Sequence, residues 1–201
     1  SEAGVIINTG SFADYGIYAV GDITTYFRDF TLIGSPSSGS TISTYGLKVS
    51  GENAFTTIEH VTVQGYGNSG IDLNGLAGGT VNDVTVSGSL DGVGLALTDS
   101  SNIAVSNVTT SGNAWAGMAI FTKGASYVGG SSGVTLSGTN SFAEPVDFYI
   151  QEENGYAVIG FTQSDFGFTF ENPVDRPGYS FYFVTQAEAL AAALSELLTT
   201  P

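Results

Sequence analysis

Four polar side chains, three of which could do acid–base chemistry, occupy one position of a repeated phrase. They are Asp29, His60, Asp83 and Asn107, and each stands two residues before a threonine. If the phrases stack in register, His60, the only histidine, lies about 5 Å from a carboxylate on either side. A carboxylate neighbour favours a charged imidazole, which could serve acid–base catalysis. The alternative, which we favour, is a structural ladder of polar side chains that hydrogen-bonds each phrase to the next.

Lys48 and Asp72 are a second candidate pair. Strand alternation predicts that they point outward in one column, which reads Tyr18, Lys48, Asp72, Gly94 and Ala119. A lyase that acts on an acidic sugar polymer needs cations to neutralise the uronate. A glycosidase needs two acidic side chains across the scissile bond. The chain has only four cationic residues, Arg28, Lys48, Lys123 and Arg176. We therefore interpret Lys48 and Asp72 as a cross-strand ion pair on the surface.

A column of threonines is the third candidate. It consists of Thr31, Thr62, Thr85, Thr109 and Thr135, with Thr169 as a further candidate member. Regular threonine arrays occur on ice-binding solenoids, but β-propensity and hydroxyl contacts between neighbouring strands also explain them. We interpret the column as a structural ladder and keep ice binding as an alternative.

No cofactor is expected from the sequence. Scattered acids such as Asp91, Asp99 and Glu144 could hold Ca²⁺ at turns, although no spaced Asp motif is present. The chain has no cysteine and a net charge of −15, which disfavours zinc–thiolate sites, nucleic acid and membrane insertion. Few lysines and many Ser, Thr, Gly and Asn residues are typical of an extracellular or cell-surface protein. Exposed tyrosines such as Tyr149 and Tyr156 could bind neutral carbohydrate.

The candidate residues recur because two short phrases recur along the chain. One phrase reads apolar, Thr, mostly apolar, polar, Gly and begins at Phe30, Val61, Val84, Val108 and Val134. The other begins with glycine and alternates, at Gly16, Gly46, Gly70, Gly92 and Gly117. Two strands in each period of about 20–30 residues predict a solenoid, in which each coil covers the apolar side chains of the next. Equivalent strands would run parallel, and parallel connections are overwhelmingly right-handed.

The stretch Ser101–Asn113, followed by Gly117–Ile120, resembles the right-handed parallel β-helix repeats of the pectate-lyase-like superfamily. The resemblance covers roughly residues 15–150. It implies an all-β, right-handed, single-stranded parallel β-helix of about six or seven coils. The resemblance says little about activity, because the superfamily includes polysaccharide lyases, hydrolases and epimerases as well as spikes and adhesins.

The whole chain is predicted to be one domain. Residues 1–14 form an N-terminal edge strand, residues 15–145 form regular coils, and residues 146–184 form aromatic-rich terminal coils. A capping box at Thr185–Glu188 and a stripe of leucines predict a short C-terminal helix over residues 185–198 that seals the core. No amphipathic helix precedes Val5–Ile7, so we expect the N-terminal end either to be uncapped, with exposed strand edges, or to be capped by something outside this sequence.

Three functions remain open. We favour a non-catalytic, extracellular structural or adhesive module that self-associates end to end, with a filament as one outcome. The alternatives are a polysaccharide-acting enzyme of lyase, hydrolase or epimerase type, and a carbohydrate-binding module. Surface glycans or further copies of the chain are the expected partners.

Overall fold

A computed structural model describes residues 5–10, 14–35, 44–122, 131, 133–152, 175–176 and 179–184. The regular structure in these residues consists of β-strands and turns. The strands are β1 (Val5–Gly10), β2 (Tyr15–Val20), β3 (Thr24–Gly34), β4 (Tyr45–Ser50), β5 (Phe55–Gln64), β6 (Ser69–Asn74), β7 (Gly78–Ser87), β8 (Val93–Thr98), β9 (Ile103–Ser111), β10 (Ala116–Thr122), β11 (Thr135–Ser137), β12 (Ser141–Phe142), β13 (Phe148–Glu152), β14 (Asp175–Arg176) and β15 (Tyr179–Val184).

The strands alternate between two sheets along the chain. The first sheet has the order β1-β3-β5-β7-β9-β11, with β12 also paired to β9. The second has the order β14-β15-β13-β10-β8-β6-β4-β2. Every pairing is parallel except that between β14 and β15. The chain is therefore all-β with parallel sheets, as the repeats predict, and this alternation is compatible with a β-solenoid.

The long strands of the first sheet bend at one left-handed residue. Asp29, His60, Asp83 and Asn107 have φ angles between 51° and 61° and are absent from the otherwise continuous ladders on either side. Asp and Asn enter this conformation more readily than most residues because their short polar side chains hydrogen-bond locally. Each long strand is thus two short strands joined by a left-handed corner.

Alternation in the strands builds the core as the sequence predicts. Val84 and Val86 are buried and Thr85 between them is exposed, which confirms the alternation in β7. On the second sheet, Leu47, Ile71, Leu95 and Met118 lie above one another and are fully buried. Neighbouring coils cover these side chains, so no coil could hold its apolar pairs out of water alone.

Steric crowding explains the glycines of the second repeated phrase. A Cβ atom built on Gly46 would lie 2.4 Å from the backbone oxygen of Gly70 and 2.4 Å from Val63 Cγ1. Comparable obstacles surround Gly16, Gly94 and Gly117. The glycines therefore mark the places where the second sheet comes closest to the rest of the coil.

Tyr66 lies in the space that these glycines leave. Its side chain is buried, its ring carbons lie about 3.0 Å from the Cβ positions that Gly34 and Gly46 would have, and its hydroxyl is 2.9 Å from Thr9 Oγ1. Burial raises the pKa of Tyr66, and the hydrogen bond to Thr9 partly opposes that rise. One side chain that follows β5 thus reaches back past β3 to β1.

The second sheet is buried on both faces in β6, β8 and β10, whereas Tyr18 in β2 is 44% exposed. Ala96 and Ala119 are the outward residues of β8 and β10, yet their exposed fractions are 2% and 0%. They form a small apolar cluster with Val93 and Ala116, separate from the main core. Burial of both faces is the usual condition of parallel sheets.

Register corrects one member of the predicted threonine column. Thr31, Thr62, Thr85 and Thr109 pair in succession, but Thr135 pairs with Ala104. The phrase from Val134 to Gly138 aligns with the strand before the left-handed corner, and Gly138, with φ of 67°, takes the place that Asn107 has in β9. The residue that pairs with Thr109, and so continues the column, is Ser141. Between the corner and the following strand, this part of the chain has one residue more than β9, because Gly138 is three residues before Ser141 and Asn107 is two before Thr109.

Two predicted segments lie wholly or partly outside the described residues. The predicted helix over 185–198 and Thr169 stand outside them and stay predictions. Of the predicted terminal coils over 146–184, the described parts add β13 and β15 in parallel to the second sheet, and Phe148 is fully buried against Phe142. Within the described ranges no helix has the length and apolar character needed to cross a membrane.

Candidate functional site

The column around His60 forms as the sequence predicts. His60 Nδ1 lies 3.2 Å from Asp29 Oδ1, and His60 Nε2 lies 3.6 Å from Asp83 Oδ2. All three side chains are more than half exposed. Asn107, the next member, donates to Asn82 Oδ1 at 3.0 Å, while its own Oδ1 accepts from the Thr139 backbone N–H. Contacts within the column therefore join Asp29, His60 and Asp83, whereas Asn107 bonds to residues beside the column.

The left-handed backbone at all four positions offers a structural explanation for the residue types of this column. We expect His60→Asn to change the free energy of unfolding by less than about 0.5 kcal/mol, because asparagine tolerates the left-handed corner, as at Asn107. His60→Val should cost about 1–2 kcal/mol, because a β-branched residue at positive φ is strained. Urea unfolding of the two variants measures the difference. A cost above about 2 kcal/mol for His60→Asn would contradict this explanation.

Lys48 and Asp72 form their ion pair, but in a buried setting. Lys48 Nζ lies 2.5 Å from Asp72 Oδ2, with side chains 14% and 6% exposed, and 4.1 Å from the Tyr45 ring centroid. Tyr45 stacks on Tyr15, which stacks on Tyr18. Burial alone would lower the pKa of Lys48, but the charge and hydrogen bond of Asp72 outweigh it, so this pKa is raised. For Tyr45 burial acts in the opposite direction and raises the pKa of the hydroxyl.

The prediction of a surface pair is therefore wrong in its location, and the outward column needs a correction. Lys48 pairs with Asp72 as expected, but Asp72 pairs with Ala96, two residues beyond the predicted Gly94. Ala96 then pairs with Ala119. The pair lies on a sheet whose outer face is covered, so neither side chain is available to a bulky substrate.

The carbohydrate candidate Tyr149 continues this same column. It pairs with Ala119 and packs against Trp115 and Phe121, with ring centroids 6.0 and 5.9 Å apart. The ring is half-buried in the small apolar cluster of the outer face. The other predicted tyrosine, Tyr156, lies outside the described residues.

The outer face of the first sheet is open to solvent. Its threonines Thr85 and Thr109 are exposed, and Thr31 and Thr62 are half-buried. The neighbouring outward column is mixed, with Ile33, Gln64, Ser87 and Ser111 in register. The face therefore lacks a second matched threonine column of the kind that a flat ice-binding surface would need.

The predicted calcium candidates do not converge in the part of the chain that the structure describes. No group there brings together three or more His, Cys, Asp or Glu side chains that could hold a metal ion. Glu144 is buried and accepts hydrogen bonds from Thr110 Oγ1 at 2.7 Å and Asn113 Nδ2 at 2.6 Å. Asn113 Oδ1 in turn accepts from the Ser89 backbone N–H. This network joins three successive turns.

Sequence reasoning missed a shallow groove on the outer face of the first sheet. It has a volume of about 560 Å³ and is lined by Thr24, Tyr26, Phe55, Thr56, Thr57, Ala77, Gly78, Gly79, Thr80 and Asn102. None of these residues is charged. The available signal was the pair of glycines in β7, with Phe55 one strand away and Tyr26 two strands away, but their juxtaposition depends on register.

Exposed apolar side chains concentrate at the N-terminal end of the described structure. In the described residues as a whole, ten large apolar side chains are exposed. Six of them belong to residues 5–23, namely Val5, Ile6, Tyr15, Tyr18, Val20 and Ile23. We call this set the first-coil surface. The strands that carry most of it, β1 and β2, stand at the ends of their sheets and contain no charged residue.

Comparison with known proteins assigns no family. No family model, curated protein or solved structure matches the chain.

Proposed function

We propose that the chain is a right-handed parallel β-helix of about six or seven coils that serves as a non-catalytic structural and adhesive module outside the cell. In this proposal it associates with a second copy through the first-coil surface. The observation that carries the proposal is the concentration of exposed apolar side chains on β1 and β2, at the edge of both sheets.

Unpaired strand edges and apolar side chains together form a docking surface. A six-residue edge strand such as β1 offers backbone donors and acceptors to another strand. Val5 and Ile6 are exposed by 63% and 68%, so covering them would remove apolar area from water. Because copies of this chain carry a net charge of −15, they repel one another, and an uncharged patch is where they can approach.

The buried pair at Lys48 and Asp72 disfavours the enzymatic alternative. A lyase of the superfamily that the repeats resemble would need its cation exposed in a groove. Here Lys48 is held by Asp72 and by the Tyr45 ring on a covered face. The other cation with a described side chain, Arg28, faces Glu59 at 3.5 Å.

Self-association is testable by sedimentation velocity at increasing protein concentration, in about 0.5 M salt to screen repulsion between copies. We expect the unmodified chain to form dimers or longer assemblies. Ile6→Lys combined with Val20→Lys should weaken association about a hundredfold, because it replaces two apolar contacts with charged groups that lose their hydration when the contact forms. Electron microscopy of the same samples separates closed dimers from filaments.

Leu90→Lys is the matched control, because Leu90 is 59% exposed and lies outside the first-coil surface. It should associate as the unmodified chain does. A chain that stays monomeric at every concentration would overturn the proposal, and so would a doubly substituted variant that assembles normally.

A further inference from the structure

The groove on the first sheet shares no residue with the first-coil surface. Its two aromatic side chains are well exposed, Tyr26 by 68% and Phe55 by 48%. Tyr26 pairs in register with Thr57, and Phe55 with Gly78. The two rings therefore stand on adjacent strands and in adjacent outward columns.

Gly78 decides how the ring of Phe55 lies. A Cβ atom on Gly78 would sit 2.8 Å from Phe55 Cε1 and 2.9 Å from Phe55 Cδ1. The ring thus leans over the glycine on the next strand and covers its bare backbone. Phe55 nevertheless stays 48% exposed, so part of the ring is open to solvent. This arrangement makes Phe55 a platform on which a flat apolar surface can stack.

Uncharged polar groups continue from the platform across the sheet. Thr57 and Thr80 stand side by side in the column of Tyr26, and their hydroxyls can donate and accept. Asn102 closes the far end, where its Nδ2 donates to the Ala77 carbonyl at 3.1 Å. In a chain with 23 charged side chains, 19 acidic and 4 basic, a groove lined without charge suits a neutral ligand better than an ion.

We propose that this groove binds a neutral oligosaccharide, with a sugar ring stacked on Phe55 beside Tyr26 and its hydroxyls bonded to Thr57, Thr80 and Asn102. A pyranose combines an apolar ring face with equatorial hydroxyls, which is the pattern of aromatic and polar groups that the groove offers. The volume of about 560 Å³ lies within the range typical of small-ligand sites. The site does not depend on self-association, so the two proposals stand or fall separately.

Titration calorimetry with cellohexaose, maltohexaose and mannohexaose tests the site, with oligogalacturonate as the acidic comparison. We expect saturable binding of at least one neutral oligomer, with a Kd of about 1 mM or tighter, and at least tenfold weaker binding of the acidic one. Phe55→Ala and Tyr26→Ala should each weaken binding about tenfold. Gly78→Ala should weaken it similarly, because the added Cβ displaces the Phe55 ring.

Trp115→Ala is the control, since Trp115 is 47% exposed and packs on Tyr149, away from the groove. It should bind as the unmodified chain does. The proposal is overturned if none of the neutral oligomers binds, if oligogalacturonate binds equally well, or if Trp115→Ala abolishes binding while Phe55→Ala leaves it intact. Circular dichroism establishes that each variant keeps its strand content.

Discussion

Gly46→Ala should destabilise the protein by about 3 kcal/mol or more, which is a large part of the stability of an ordinary domain. The added methyl would lie 2.4 Å from the backbone oxygen of Gly70 and 2.4 Å from Val63 Cγ1. A side chain can rotate away, but the Gly70 carbonyl belongs to the neighbouring strand and cannot move without disturbing the ladder between β4 and β6. The midpoint of urea unfolding, at unchanged m-value, measures the loss.

Gly112→Asn is the matched control. Gly112 has a φ of 64°, and nothing lies within 4 Å of an added Cβ. Asparagine tolerates this conformation, so we expect a cost below about 1 kcal/mol. If Gly46→Ala costs no more than Gly112→Asn, close approach of the strands does not explain the repeated glycine.

Lys48→Met should destabilise the protein by about 3–5 kcal/mol, because it removes the cation that faces the buried carboxylate of Asp72. Both side chains are mostly removed from water, at 14% and 6% exposure. Methionine keeps the length and apolar stem of lysine, so the loss reports the charge more than packing. The double variant Lys48→Met with Asp72→Asn should recover part of the stability, since it leaves no charged member of the pair.

The ion pair between Lys48 and Asp72 also makes the stability of the protein depend on pH in the alkaline range. The pKa of Lys48 is raised above its ordinary value of 10.5, so the folded state holds this proton where the unfolded state releases it. The stabilisation is complete below pH 10.5 and is lost as the pH rises through the folded-state pKa. The raised pKa values of Tyr45 and Tyr66 act in the same direction.

We expect the free energy of unfolding to fall above about pH 10.5, and Lys48→Met to show a shallower fall. Urea unfolding between pH 8 and 11.5 measures both slopes. A cost below about 1 kcal/mol for Lys48→Met at pH 8, or an unchanged alkaline slope, would contradict a stabilising role for the pair.

Alternation was predictable from the sequence because it depends only on neighbouring residues. A period of two places Val84 and Val86 inward whatever the next coil does. The left-handed corner at His60 was visible as a recurring polar position, although its backbone cause was not. Glycine at the ends of the phrases was likewise predictable, and Gly65, Gly88 and Gly112 all have positive φ.

Register between coils and the covering of a face were not predictable in the same way. Thr135 shares the letters of the threonine phrase, but it pairs with Ala104 before the corner, and Ser141 pairs with Thr109 after it. Asp72 alternates as an outward residue, yet it is buried. Register depends on turn length, and burial depends on distant parts of the chain. A local sequence pattern therefore predicts neither of them.

Tyr66 changes how the N-terminal coils can come apart. Repeats in a solenoid ordinarily touch only their neighbours, so the terminal one can fray while the rest stays intact. The Tyr66 hydroxyl bonded to Thr9 skips one strand and ties β1 directly to the turn after β5. Peeling away the first strand would break this hydrogen bond and expose part of the buried Tyr66 side chain to water. Resistance to mechanical or proteolytic attack at this end is therefore shared across three layers of the stack.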